Sequence, residues 1–311
     1  MKLPWDKDKI SNGIMPSISI LDEVFNGSHI NPINQLEYEI QSYPDNTKYV
    51  IVKKITNNLT FRLNTYEDLW ILNQIHDVVK KANRKVTVTI PNLIDAQADR
   101  RFGTAQPFGL KLVLEFLKSM ENFDYKIFHP HNPEVVEALL DRVEIIDNYD
   151  FIYEVLSELK SDYYDFNAHN MEDNLILMSS DAGGFKPLMK LCDKLEWAGE
   201  TSSASKSRKY VNGKSELTQV LDRDDFKGKD ILIIDDICVY GGTFKGLVKM
   251  LDERNCGKLF LAVSHMTVLE LGKDSVGNYF DRVFTTNSKI GEDYTSDGNT
   301  SLAGVTKFDI F

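Results

Sequence analysis

Residues 229–246 read KDILIIDDICVYGGTFKG, and the order of residue types in this stretch decides the fold. Ile231 to Ile234 form an unbroken apolar run of strand length, the pattern of a strand buried on both faces in a parallel sheet. Two carboxylates, Asp235 and Asp236, stand at its C-terminal end. Gly241, Gly242 and Thr243 then supply permissive backbone, amide donors and a hydroxyl just before Phe244 to Arg254, whose amphipathic spacing predicts a helix. Strand, acids, glycine turn and helix in that order suit a sugar phosphate. The carboxylates accept from ribose hydroxyls or hold Mg²⁺, and the backbone N–H groups take the phosphate. A lone Gly-Gly would read as an ordinary turn, whereas the double Asp before Gly-Gly-Thr is more specific.

A chain of 311 residues exceeds one typical domain and predicts two, each able to bury a core. Apolar content of 42% and charged content of 27% are those of a soluble globular protein. The net charge of −11 argues against nucleic acid as a partner, since a polyanion would be repelled and no basic patch offsets it. Three cysteines without CxxC spacing indicate neither a disulfide framework nor a zinc site, which fits a reducing cytoplasm. The sequence MKLPWDKDKI has no apolar core of a signal peptide, and no apolar run reaches membrane-spanning length, so no membrane association is expected.

Along the chain, Ser17 to Leu21 and Tyr49 to Val52 read as short strands, the latter after the turn Tyr43-Pro44-Asp45-Asn46. Tyr66 to Lys81 has helical spacing, Val86 to Ile90 reads as a buried strand, and a polar loop with Asp95, Asp99, Arg100 and Arg101 precedes a helix over about Pro107 to Met120. Tyr125 to Phe128 predicts a strand ending in His129-Pro130-His131, of which either histidine is a candidate ligand. The pattern relaxes around Asp147 to Asp150, giving domains 1–148 and 149–311. The second opens with a helix over about Tyr153 to Leu159, then strand Leu175 to Met178, the turn SSDAGG and a helix from about Phe185 to Leu195. An acid and two glycines between strand and helix make a second anion-binding turn. Thr201 to Glu216, rich in Ser with Lys206, Arg208, Lys209 and Lys214, reads as a mobile basic loop able to close over a triphosphate. Strands are expected at Leu259 to Val263, with His265 at the end, at Phe280 to Thr286 and at Val305 to Phe311, with a polar loop over Asn287 to Asn299.

These pieces, in this order, resemble the ribose-phosphate diphosphokinases, or PRPP synthetases, of the type I phosphoribosyltransferase fold group, over about Tyr43 to Ser288. The resemblance implies an α/β protein of two similar domains, each a mainly parallel sheet flanked by helices, assembled as a homo-oligomer from dimer to hexamer. It implies transfer of the β,γ-diphosphoryl group of ATP to the C1 hydroxyl of a ribose, with Mg²⁺ as cofactor and AMP released. Lys206 and Arg208 would be catalytic, and IDDICVYGGTF, from Asp235 and Asp236 through Val239, Tyr240, Gly241, Gly242 and Thr243, would hold the ribose and its phosphate. IPNLIDAQADRRF, with Gln97, Asp99, Arg100 and Arg101, would bind ATP with His129 and with Asp45 of the hairpin SYPDNTKYV, while His129 and Asp181 would hold the metal. The departures carry information: Gln97-Ala98 stands where the family has Arg-Gln, Asn46-Thr47 where it has Gly-Glu, and Val239-Tyr240 where it has Asp-Thr. Tyr240 replaces a compact hydroxyl donor with an aromatic able to stack on a base, so the acceptor is ribose 5-phosphate or ADP-ribose. The latter resembles a phage-encoded branch that rebuilds NAD⁺. The competing readings are a PRPP-consuming phosphoribosyltransferase and a non-catalytic regulatory homologue.

Overall fold

The computed structural model describes residues 34–101, 103–164, 170–211, 214–267, 276–289, 305–308 and 310–311. The expected strand Ser17 to Leu21 and most of the tail Asn287 to Asn299 lie outside these residues. The chain forms two compact units, one of Met15–Asp147 with Ile310–Phe311 and one of which Asn148–Asp309 is the main part.

In the first unit, strands β1 (Glu37–Ser42) and β2 (Lys48–Lys54) form an antiparallel hairpin. A parallel sheet follows, in which β3 (Asn58–Thr60), β4 (Val86–Ile90), β5 (Phe123–Phe128) and β6 (Val143–Ile146) lie in sequence order. Helices α1 (Tyr66–Lys81), α2 (Gly109–Lys118) and α3 (Pro133–Leu139) make the crossovers. Thr65 opens α1 with a reciprocal capping box to Asp68, which satisfies donors that the first turn leaves without partners. Alternation segregates the sheet: Val86, Val88, Ile90, Phe123, Tyr125 and Ile127 pack with Leu72, Ile75, Leu114 and Leu117 of the helices. The intervening positions Thr87, Thr89, Asp124 and Lys126 are polar, and Lys126 pairs with Glu144 at 3.0 Å across β5 and β6. The last residue, Phe311, packs edge-on against Phe128 at 5.0 Å, so the final strand ends at Phe308 rather than running to the terminus.

The second unit opens with α4 (Tyr149–Tyr163), four residues longer at each end than the apolar spacing predicts. A single helical turn, Met171–Asn174, leads into β7 (Leu175–Ser179), α5 (Ala182–Leu195), β8 (Thr201–Val211) and β9 (Lys214–Leu221). Then come β10 (Asp230–Cys238), α6 (Gly242–Asp252), β11 (Leu259–Met266), a 3₁₀ turn at Val276–Tyr279, β12 (Arg282–Thr286) and β13 (Val305–Phe308). The strands stand in the order β13-β12-β11-β10-β7-β8-β9, parallel except for the β8–β9 pair. On one face, Leu247, Val248 and Leu251 of α6 pack on Ile176, Met178, Ile231, Ile233, Leu261 and Val263. On the other, Tyr163 of α4 meets Phe260 of β11 at 4.9 Å.

Thr201 to Glu216 is therefore not a loop. Thr201–Ser203 extend the sheet by pairing with Leu177–Ser179, and Ala204–Val211 pair antiparallel with Lys214–Leu221. Backbone hydrogen bonding holds this arm where apolar anchors are few, and Asn212-Gly213 between the strands is the dipeptide most suited to a two-residue hairpin turn.

Candidate functional site

The chain runs from β7 through α5 to β8 on one side of the sheet, and from β10 through α6 to β11 on the other. The strand order thus reverses between β7 and β10, and in open α/β sheets ligands bind beyond the carboxyl ends of the strands at such a point. Both glycine turns, SSDAGG after β7 and DDICVYGGT at the end of β10, flank it.

The two turns differ in what their helix starts leave open. Asp181 caps α5, its Oδ1 accepting from Gly183 N–H at 3.0 Å and Gly184 N–H at 3.1 Å, so the helix begins at Ala182 rather than Phe185. These donors are held by the chain's own carboxylate, and an anion bound here would displace it. The α6 start has no side-chain cap: Gly241 takes a left-handed conformation at φ 72°, and Gly242 and Thr243 form the first turn. Val276 lies 3.0 Å from where a Cβ on Gly241 would sit, so both the backbone angle and the space require glycine. An uncapped eleven-residue helix with exposed Gly242 at its start presents N–H donors and the positive end of the helix dipole to an anion.

The acids lie within β10, which continues to Cys238. Ser180 Oγ donates to Asp235 Oδ2, and Asp236 N–H donates to Asp235 Oδ1 at 2.9 Å. Both Asp235 oxygens are thereby engaged and the two turns are fastened together. Desolvation, followed by the charge of Asp236, pushes the Asp235 carboxyl well above the usual carboxylate range. Val239 is half-buried and Tyr240 is 74% exposed; among the described residues no hydrogen-bond or ring partner is found for Tyr240. Lys206 and Arg208 lie on β8, their backbones paired with Gln219 and Leu217 of β9. His265, expected at the end of its strand, is inside β11 and buried, its Nδ1 2.8 Å from Ser288 Oγ.

In the first unit, the residues expected to hold the nucleotide lie on loops at the carboxyl ends of β4 and β5, apart from Asp45. Asp99 accepts from Asn132 Nδ2 at 2.7 Å, lacing these loops together, and Arg101 donates to Gln106 O at 2.9 Å. Gln97, Arg100 and Arg101 are exposed. Tyr66 OH, at the start of α1, lies 3.2 and 3.0 Å from the two Asp95 oxygens, and Asp95 has φ 60°. His129 follows β5 with φ 34°, its N–H on Ile146 O at 2.7 Å. Positive φ at a non-glycine residue costs energy and concentrates at functional loops. Asp45 closes the β1–β2 turn by accepting from Thr47 N–H at 3.0 Å, a bond that holds its carboxyl below the ordinary value. Ser180, Tyr66, Asn132 and Gln219 were not singled out from the sequence; their partners lie 55, 29, 33 and 24 positions away.

Among the described residues, no three His, Cys, Asp or Glu side chains converge as a preformed metal site. Mg²⁺ commonly takes one or two carboxylates, with water and substrate phosphates completing its shell, so the carboxylates of Asp181 and Asp236 fit an ion arriving with a nucleotide. No described helix is long and apolar enough to cross a membrane.

The fold is that of a phosphoribosyl transferase-type α/β protein, and residues 151–295 match the phosphoribosyl transferase domain. The chain is 24% identical over 255 residues to the ribose-phosphate pyrophosphokinase of Pyrococcus furiosus, covering 80% of this chain and 85% of that one. It is 23% identical over 293 residues to that of Sulfurisphaera tokodaii, covering 91% of each. The phosphoribosylpyrophosphate synthetase structure from Mycobacterium smegmatis shares the fold, with a TM-score of 0.69 and 18% identity over 88% of this chain and 86% of that one. Over most of its length the chain is thus similar to the ribose-phosphate pyrophosphokinases.

Proposed function

We propose that the protein is a diphosphokinase that transfers the β,γ-diphosphoryl group of Mg–ATP to the C1 hydroxyl of a ribose 5-phosphate moiety and releases AMP. The observation that carries this reading is the uncapped glycine turn of α6 at the reversal of strand order, tied through Ser180 and Asp235 to the turn after β7. The pyrophosphokinase relatives named above, matched over most of their length, support ATP and ribose 5-phosphate as the substrate pair.

The acceptor's phosphate takes the amides of Gly241 to Thr243, and Asp236 accepts from the ribose hydroxyls. Asp235, its oxygens engaged within the protein, holds Asp236 and the neighbouring turn in place. Lys206 and Arg208 offset charge on the group in flight, so catalysis is positioning and electrostatics without a protein nucleophile. Asp45, Gln97, Asp99, Arg100, Arg101 and His129 hold the nucleotide. Asp181 of one unit and His129 of the other would each serve as a ligand for Mg²⁺, which when bound would neutralise phosphate charge. The working form is a cytoplasmic homo-oligomer.

Ribose 5-phosphate and ADP-ribose both present the required ribose and phosphate. Tyr240, 74% exposed beside the phosphate turn, favours ADP-ribose because its ring can stack on the adenine. Incubation with Mg–ATP and each acceptor in turn, with AMP quantified and the product identified by mass, tests the proposal. AMP released with either acceptor supports the reaction and identifies the acceptor; no AMP with either contradicts it.

A further inference from the structure

We propose that Gln219 is a positioning residue that latches the β8–β9 arm, and with it the Lys206–Arg208 stretch, onto the first turn of α6. The proposal rests on the reading that Lys206 and Arg208 act on the transferring group.

Beyond Ser203, the arm has left its pairing with β7, and among the described residues Ala204–Val211 and Lys214–Leu221 pair with one another. Ala204 and Leu221 at the base of the arm share the core cluster with Phe244 and Leu247 of α6, and Gln219 adds a polar contact to that helix. Its Nε2 donates to Thr243 O at 3.1 Å, on the turn that takes the acceptor's phosphate. Its Oε1 lies over Gly246, three residues along and on the same side of the helix. A Cβ on Gly246 would stand 2.5 Å from Oε1 and 3.5 Å from Cδ. The glycine therefore makes a notch that, among the described residues, this side-chain amide occupies. Glycine is a poor residue for a helix interior, and nothing else about Gly246 demands it. Across the hairpin Gln219 pairs with Lys206, so the latch fixes the backbone of Lys206 relative to the phosphate turn.

The test compares Gln219→Ala, Gln219→Glu, Gly246→Ala and the Gln219→Ala/Gly246→Ala double variant of the full chain. AMP release is measured at saturating Mg–ATP with the acceptor the unmodified enzyme uses, together with KM and Tm. Loss of one hydrogen bond between the arm and α6 lowers kcat by about three- to tenfold in both Gln219 variants. Gln219→Glu keeps the shape but cannot donate to the Thr243 carbonyl. Gly246→Ala lowers kcat similarly by displacing the amide, yet raises Tm, because alanine suits a helix and the obstacle is the flexible end of a side chain. A merely structural role would move kcat and Tm in the same direction. The double variant falls no further than the worse single one, since one contact is lost either way. Unchanged kcat in Gln219→Glu and Gly246→Ala, or additive losses in the double variant, overturns the latch. Lys206→Ala separates the two readings. Its collapse with full turnover in the Gln219 variants overturns the latch alone, whereas near-normal turnover in Lys206→Ala overturns the catalytic reading and the latch together.

Discussion

Ser180→Ala removes the hydroxyl that donates to Asp235 Oδ2 and leaves Asp235 only the Asp236 N–H on its other oxygen. A hydrogen bond to a charged group contributes about 1.5–3 kcal/mol, and a protonated acid is the weaker acceptor. Desolvation and the Asp236 charge favour the protonated form of Asp235, so the lower figure of about 1.5 kcal/mol applies. A unit the size of Asn148–Asp309 changes Tm by roughly 2–4 °C per kcal/mol, so its transition should move down by about 3–6 °C. Scanning calorimetry near neutral pH reads the shift directly, and Ser180→Thr, which keeps a hydroxyl, should recover most of it. Because the two turns lose their tie, KM for the acceptor should rise in Ser180→Ala more than kcat falls. A Tm within about 1 °C of the parent, or an equal loss in Ser180→Thr, would refute the bridging role.

Three further outcomes follow from other parts of the chain. Desolvation, then Glu158 and Asp150, push Glu154 of α4 up to about 7 from 4.5. The folded state keeps a proton that the unfolded chain releases, so stability falls as pH rises through that interval. Glu154→Gln should raise Tm at about pH 8 and not at or below about pH 4.5, and equal gains at both would contradict this. Gly109→Ala would set a Cβ 2.8 Å from Asp95 Oδ2 and 3.1 Å from Ala98 Cβ, so it should displace the loop after β4 and raise KM for ATP; an unchanged ATP KM refutes that loop's role. Tyr240→Ala should lower kcat/KM for ADP-ribose relative to ribose 5-phosphate by about fivefold or more if the ring stacks on adenine. An unchanged ratio removes Tyr240 from acceptor choice.

What the sequence made legible was local. Asp235, Asp236 and the Gly241–Thr243 turn stand between a buried apolar run and a helical stretch, so neighbours in sequence suffice to place them. Helix α1 was equally readable, since Leu69, Leu72, Ile75 and Val79 keep one face and are all buried. The start of α5 is hidden in the sequence because Asp181 looks like a loop acid until its bonds to Gly183 and Gly184 show it to be a cap. The lysines and serines of the β8–β9 arm read as a loop, whereas the two-residue Asn212-Gly213 signal in the sequence favours a hairpin. Strands of three and four residues, β3 and β6, are too short to show a period. Ser180, Tyr66, Asn132 and Gln219 are side chains whose partners come from other elements, and a single sequence does not pair them.

The most direct test of the account is the fate of the β-phosphorus of ATP. With ATP labelled at that position and the accepted ribose phosphate, the label should appear on the sugar product together with the γ-phosphorus, while unlabelled AMP accumulates in equal amount. Label left in ADP would mean transfer of one phosphoryl group, and label in free pyrophosphate would mean hydrolysis; either result contradicts diphosphoryl transfer.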